Sequence, residues 1–90
     1  MMMTKSTNAD DPEMVALSAL TWVLSDEARA GRLLAVTGLT PEGLRAGVGR
    51  RDVLGAVLAF LESYEPDLLA CAAAMNVRPE DLVDAGRALG

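Results

Sequence analysis

The chain holds one cysteine, one tryptophan and no histidine, so its inventory of chemically able side chains is short. Cys71 lies within Leu68-Leu69-Ala70-Cys71-Ala72-Ala73-Ala74. A reactive thiolate needs a neighbouring cation or a helix N-terminus, whereas a thiol set among alanines mid-helix is expected to be a buried packing residue. Without histidine, neither a zinc finger nor imidazole-based proton transfer can come from this chain alone, and a lone cysteine closes no internal disulfide. Acidic pairs stand at Asp10/Asp11, Asp26/Glu27 and Asp81/Asp84. Each falls in a first helical turn or on an exposed face, where a carboxylate offsets the helix dipole rather than serving as general acid or base. No EF-hand spacing, P-loop, G-x-G-x-x-G or G-x-S-x-G occurs. The expectation is no enzyme: no catalytic residue, no metal ligand and no cofactor.

The cations are more suggestive. Residues 1–28 carry Lys5 against Asp10, Asp11, Glu13, Asp26 and Glu27, a net of −4. Residues 29–51 carry Arg29, Arg32, Arg45, Arg50 and Arg51 against Glu42, a net of +4. Residues 52–90 carry Arg78 and Arg87 against Asp52, Glu62, Glu65, Asp67, Glu80, Asp81 and Asp84, a net of −5. Arg45, Arg50 and Arg51 are therefore a candidate interaction patch, suited to an acidic partner or the acidic C-terminal half of a second copy, because the planar guanidinium grips carboxylates bidentately. The competing reading pairs these arginines inside the chain, where an exposed pair is worth about 0–1 kcal/mol. An alternative function uses the Arg/Gly-rich segment 43–51 as the contact of a small-ligand- or nucleic-acid-linked regulator. Residues 33–48 do have the outline of a helix-turn-helix. The would-be recognition helix, however, is short, carries Gly43 and Gly47, and has Arg45 as its one cation. At a net charge of −5 the domain lacks the electrostatic footprint of a nucleic-acid binder. Nucleic acid is discounted.

The elements that must position these residues follow from composition. Ninety residues allow one small core. With 51% hydrophobic and 3% aromatic residues, that core must be built from Ala, Leu and Val, a helix-forming palette. Trp22 is expected within it rather than as a ligand platform. Asp11-Pro12-Glu13 opens a helix to Leu24, apolar on most of its circumference. Ser25-Asp26-Glu27 caps a second, stopped by Gly38. Thr40-Pro41-Glu42 opens a short third to about Ala46. Arg51-Asp52 leads a long fourth to Ser63 with Val53, Leu54, Val57, Leu58, Phe60 and Leu61 inward. Glu65-Pro66-Asp67 starts a fifth, ended by Asn76, and Arg78-Pro79-Glu80 starts a sixth that ends at Gly90. No segment alternates with period two. The fold class is all-α, a compact six-helix bundle at 11–90, with residues 1–10 as a disordered tail.

The chain also matches itself at an offset of 38 residues. Pro41-Glu42-x-Leu44 recurs as Pro79-Glu80-x-Leu82, Val15 meets Val53, Leu20 meets Leu58, Ser25 meets Ser63, Glu27 meets Glu65 and Ala35 meets Ala73. Across 14–47 against 52–85 there are eight identities in 34 pairs, where composition alone gives roughly three. The matches fall on caps, stops and core positions. They predict two pseudo-symmetric three-helix units sharing a core between their long helices. Gly55, Ala59 and Ser63 form a small-residue ridge that either lets a helix approach closely or faces solvent.

Three stretches carry a family resemblance: Ala16-Leu17-x-Ala19-Leu20-x-Trp22-x-Leu24, Arg32-Leu33-Leu34-Ala35-x-Thr37-Gly38-Leu39-Thr40-Pro41-x-x-Leu44-Arg45, and Val57-Leu58-x-Phe60-Leu61. The order of pieces resembles the small alphaproteobacterial family called domain of unknown function 3572, over about residues 13–90. The chain departs from the family's pattern at Leu33, where an aromatic is usual, and at the Pro66-Asp67 break. The resemblance implies a helical bacterial domain and assigns no activity, substrate or site residue. The N-terminus lacks the basic start and apolar run of a secretory signal, and Met14–Leu24 is shorter than the about 20 apolar residues that span a bilayer. The expected setting is cytoplasmic, with no membrane contact. The function expected is a non-catalytic protein-interaction or homo-oligomeric module.

Overall fold

The structure, a computed structural model, describes residues 11–90; the tail expected at 1–10 lies outside them. Six helices follow in order: α1 (Pro12–Leu24), α2 (Glu27–Thr37), α3 (Pro41–Gly47), α4 (Arg51–Glu62), α5 (Glu65–Met75) and α6 (Pro79–Leu89). There is no strand among the described residues, and no helix is long and apolar enough to cross a membrane.

Local chemistry sets the boundaries. The Asp11 carboxylate accepts from the Glu13 and Met14 amides at 3.1 and 3.5 Å, the Asp26 carboxylate from Arg29 N at 2.9 Å, and Thr40 Oγ1 from Gly43 N at 2.9 Å. Each satisfies an amide that the first helical turn leaves without a partner. At the other ends, Gly38 takes φ 76° and Asn76 φ 61°. This is the left-handed conformation that stops a helix while returning an amide to its last carbonyls: Gly38 N donates to Leu34 O at 2.8 Å and Asn76 N to Ala73 O at 3.2 Å.

The core is aliphatic. Val15, Ala16, Ala19, Leu20 and Val23 of α1 meet Leu54, Val57, Leu58, Phe60 and Leu61 of α4, with Leu82, Ala85 and Leu89 of α6 closing over both. No polar or charged residue is buried among the described residues. The two long helices do pack on each other as their sequence match predicts, but α6 is the third member of the core and lies most extensively along α4. α2 and α5 flank α1 and α4, each adding few buried side chains, Leu33 from α2 and Leu68, Cys71 and Ala72 from α5. α3 packs chiefly beside α4.

The third helices of the two sequence units thus take different roles. α6 spans eleven residues and touches α1, α4 and α5, whereas α3 spans seven and has Leu44 as its one large buried side chain. The small-residue ridge splits between its two readings. A Cβ on Gly55 would meet Leu89 Cβ at 3.6 Å, so the ridge starts as a helix contact, while Ala59 and Ser63 face solvent. Of the inward set on α4, only Val53 is not fully buried.

Candidate functional site

α3 is short but well defined. Thr40 caps it, Pro41 occupies its first position, and the 3.6-residue period places Pro41, Leu44, Arg45 and Val48 along one side. That side faces the end of α1 and the middle of α2. Leu20, Leu24, Ala30 and Leu34 complete an open, almost wholly apolar groove of ≈ 300 Å³. Leu24 is 46% exposed and Val48 38%, so the two side by side leave apolar surface open at the groove. At the rim stands Arg45. Every other arginine of the described residues has a partner: Arg29 on Trp22 O and Ser25 Oγ, Arg32 on Asp67, Arg50 on Asp52, Arg51 on Glu13, Arg78 on Asp81 and Arg87 on Asp84. Arg45 has none.

The other two members of the candidate patch are engaged within the chain. Arg50 grips Asp52 with two parallel bonds, Nε–Oδ1 at 3.1 Å and Nη2–Oδ2 at 2.8 Å. This bidentate hydrogen bonding raises the guanidinium's pKa and lowers that of the carboxyl. Arg51 donates to Glu13 Oε2 at 3.1 Å and to Ala88 O at 2.7 Å, so it ties the start of α4 to the start of α1 and the end of α6. Another depression lies on the other side of α3 and is lined by Leu39, Gly43, Ala46, Gly47, Arg50, Asp52 and Val53. Arg45 and Arg50 therefore serve opposite sides of α3. Within segment 43–51, Gly47 is a packing residue: a Cβ there would stand 2.6 Å from Val53 Cγ2.

The remaining chemically able residues are sequestered. Cys71 is fully buried in α5 with its Sγ 3.6 Å from Met75 Sδ. Desolvation pushes the thiol up to about 11, with the Arg29 charge pulling weakly the other way. Trp22 is half-buried against the core, and the Arg29 guanidinium lies 3.6 Å over its ring. The Arg29 Nη2 donates to Trp22 O at 2.7 Å, and its Nε is buried without a hydrogen-bond partner. Among the described residues, no three Cys, Asp or Glu side chains converge as a metal site would require.

The model of the family described as protein of unknown function DUF3572 matches residues 9–90. The chain belongs to this family. No curated protein and no solved structure matches it. In this DUF3572 protein the expected burial of Cys71 is met, whereas Trp22, expected within the core, packs against it only half-buried with Arg29 over its ring. The groove was not foreseen from the sequence. Its one sequence signal is a pair of aliphatic residues just where helices end, Leu24 before Ser25-Asp26 and Val48 between two glycines.

Proposed function

We propose that this DUF3572 protein is a non-catalytic protein-interaction module whose working surface is the groove between α1, α2 and α3. The observation that carries this reading is the groove itself, an apolar trough with Leu24 and Val48 left exposed and, at its rim, an arginine without a partner among the described residues. An apolar floor supplies affinity and a rim cation supplies orientation. The candidate patch contributes through Arg45; Arg50 and Arg51 instead brace the start of α4.

Site-specific photocrosslinking in the native cell tests this. A photoreactive phenylalanine analogue placed at Leu24 or Val48 should give discrete protein adducts, and the same group at the exposed Ala73 of α5 should not. Adducts of equal yield at all three positions would overturn the assignment of the groove as the working surface.

A further inference from the structure

The chain covers one of its long helices and leaves the end of the other open. α6 lies along α4 with Leu82, Ala85 and Leu89 buried. Its approach is close because position 86 is glycine: a Cβ there would stand 3.3 Å from Leu58 Cβ. Thirty-eight residues earlier, α3 begins with the same Pro-Glu-x-Leu. Its Leu44 is buried as Leu82 is, but the chain then turns, with Arg50 N donating to Gly47 O at 2.8 Å, and enters α4. The register that sets Gly86 against Leu58 pairs Val48 with Leu20, and both of these line the groove. The groove thus lies where the end of α1 meets α2 and α3 without a longer helix over it. Its walls are three helices that present side chains and no sheet edge, which suits a helical occupant rather than an added strand.

Charge narrows the occupant further. Arg45 takes the place in α3 that Val83 holds in α6, beside the groove, and no carboxylate of the described residues reaches it. An apolar ligand without an anion would leave that guanidinium unused. Given the groove as the working surface, on which this step rests, we infer that its occupant is an acidic amphipathic helix of a partner protein. That helix lays aliphatic residues spaced i, i+3, i+7 on Leu20, Leu24, Leu34 and Val48 and sets a carboxylate on Arg45.

Methyl NMR on the full chain tests it, with three probes. The first is a helix-stapled peptide of residues 76–90, whose Leu82, Ala85 and Leu89 face already fits a helical trough and which carries Glu80, Asp81 and Asp84. The second is the same peptide with those three acids replaced by lysine. The third is octanoate. The acidic peptide should shift the Leu24, Leu34, Leu44 and Val48 methyls. Arg45→Glu should weaken it at least tenfold and reverse the preference toward the lysine peptide; Arg45 is exposed and unpaired, so the fold survives. Binding indifferent to Arg45→Glu overturns the inference, as do shifts centred on Leu54 and Leu58, which mean exchange with the resident α6. Groove shifts from octanoate alone also overturn the helix while leaving the groove as a binding surface. If no probe moves the groove methyls, both this inference and the proposed working surface fail.

Discussion

Replacing Gly47 by alanine should destabilise the protein although alanine is the better helix former. The added Cβ would lie 2.6 Å from Val53 Cγ2, 3.1 Å from its Cβ and 3.2 Å from its Cγ1. All three contacts fall on one β-branched side chain in the first turn of α4, where χ1 has essentially one helical rotamer and Val53 cannot swing aside. Gly47 has an ordinary φ, since Gly38 alone among the described glycines is positive, so the effect is steric. Relief requires α3 and α4 to separate. Overpacking costs about 1–3 kcal/mol, and the helix-propensity gain at the last residue of α3 returns at most about 0.5–1 kcal/mol. The net loss is about 1–2 kcal/mol, or a Tm lower by about 5–15 °C for a domain of this size. Urea and thermal unfolding followed by circular dichroism would measure it. The double variant Gly47→Ala/Val53→Ala should recover at least about 1 kcal/mol relative to the sum of the single changes. A neutral Gly47→Ala, or additivity in the double variant, would refute the close-approach account.

Gly31→Ala should do the opposite. A Cβ there meets nothing within 4 Å on the exposed side of α2, so urea unfolding should show a gain of about 0.5–1 kcal/mol. Cys71 should resist an aromatic disulfide reagent at pH 8 in the folded protein and react at once in urea, because it is fully buried and its pKa is pushed to about 11; rapid native labelling would contradict the burial. Asp81 accepts from Arg78 N at 3.0 Å and from the Arg78 side chain at 3.2 Å, and these bonds hold its carboxyl below its ordinary 3.8. A depressed carboxyl stabilises fully above the unfolded value and loses that contribution as pH falls through the folded one. The urea midpoint should therefore drop as pH falls below about 4, and Asp81→Asn should flatten that drop.

Much of the fold is legible because helix ends are local chemistry. Asp11, Asp26 and Thr40 cap and Gly38 and Asn76 stop where their side chains or φ preferences say they should. The inner face of α4 follows from period alone; Val53 is the partial exception, because it turns toward Gly47. What sequence matching hides is how far each third helix runs. Pro41-Glu42-x-Leu44 and Pro79-Glu80-x-Leu82 read alike, yet one helix ends at Gly47 and the other continues for about one more turn, to Leu89. The arginines mislead for a related reason. Arg45, Arg50 and Arg51 are neighbours in sequence, but Arg50 reaches two residues onward to Asp52 and Arg51 reaches 38 residues back to Glu13. The Arg50–Asp52 pair is local, but Arg51's partner belongs to tertiary structure, which no local pattern reports.

The placement of α6 between α1 and α4 has a consequence for how the protein is made. A ribosome releases the chain from its N-terminus, so α1 and α4 emerge before the helix that covers them. Until Leu82, Ala85 and Leu89 are synthesised, the Leu54, Val57, Leu58 and Leu61 face of α4 lacks its principal lid. The nascent chain therefore folds only once α6 has been synthesised, because the contacts that reward folding join α6 to helices made well before it. A message broken or stopped within the α6 codons yields a product with that aliphatic face bare, which chaperones and proteases recognise as unfinished.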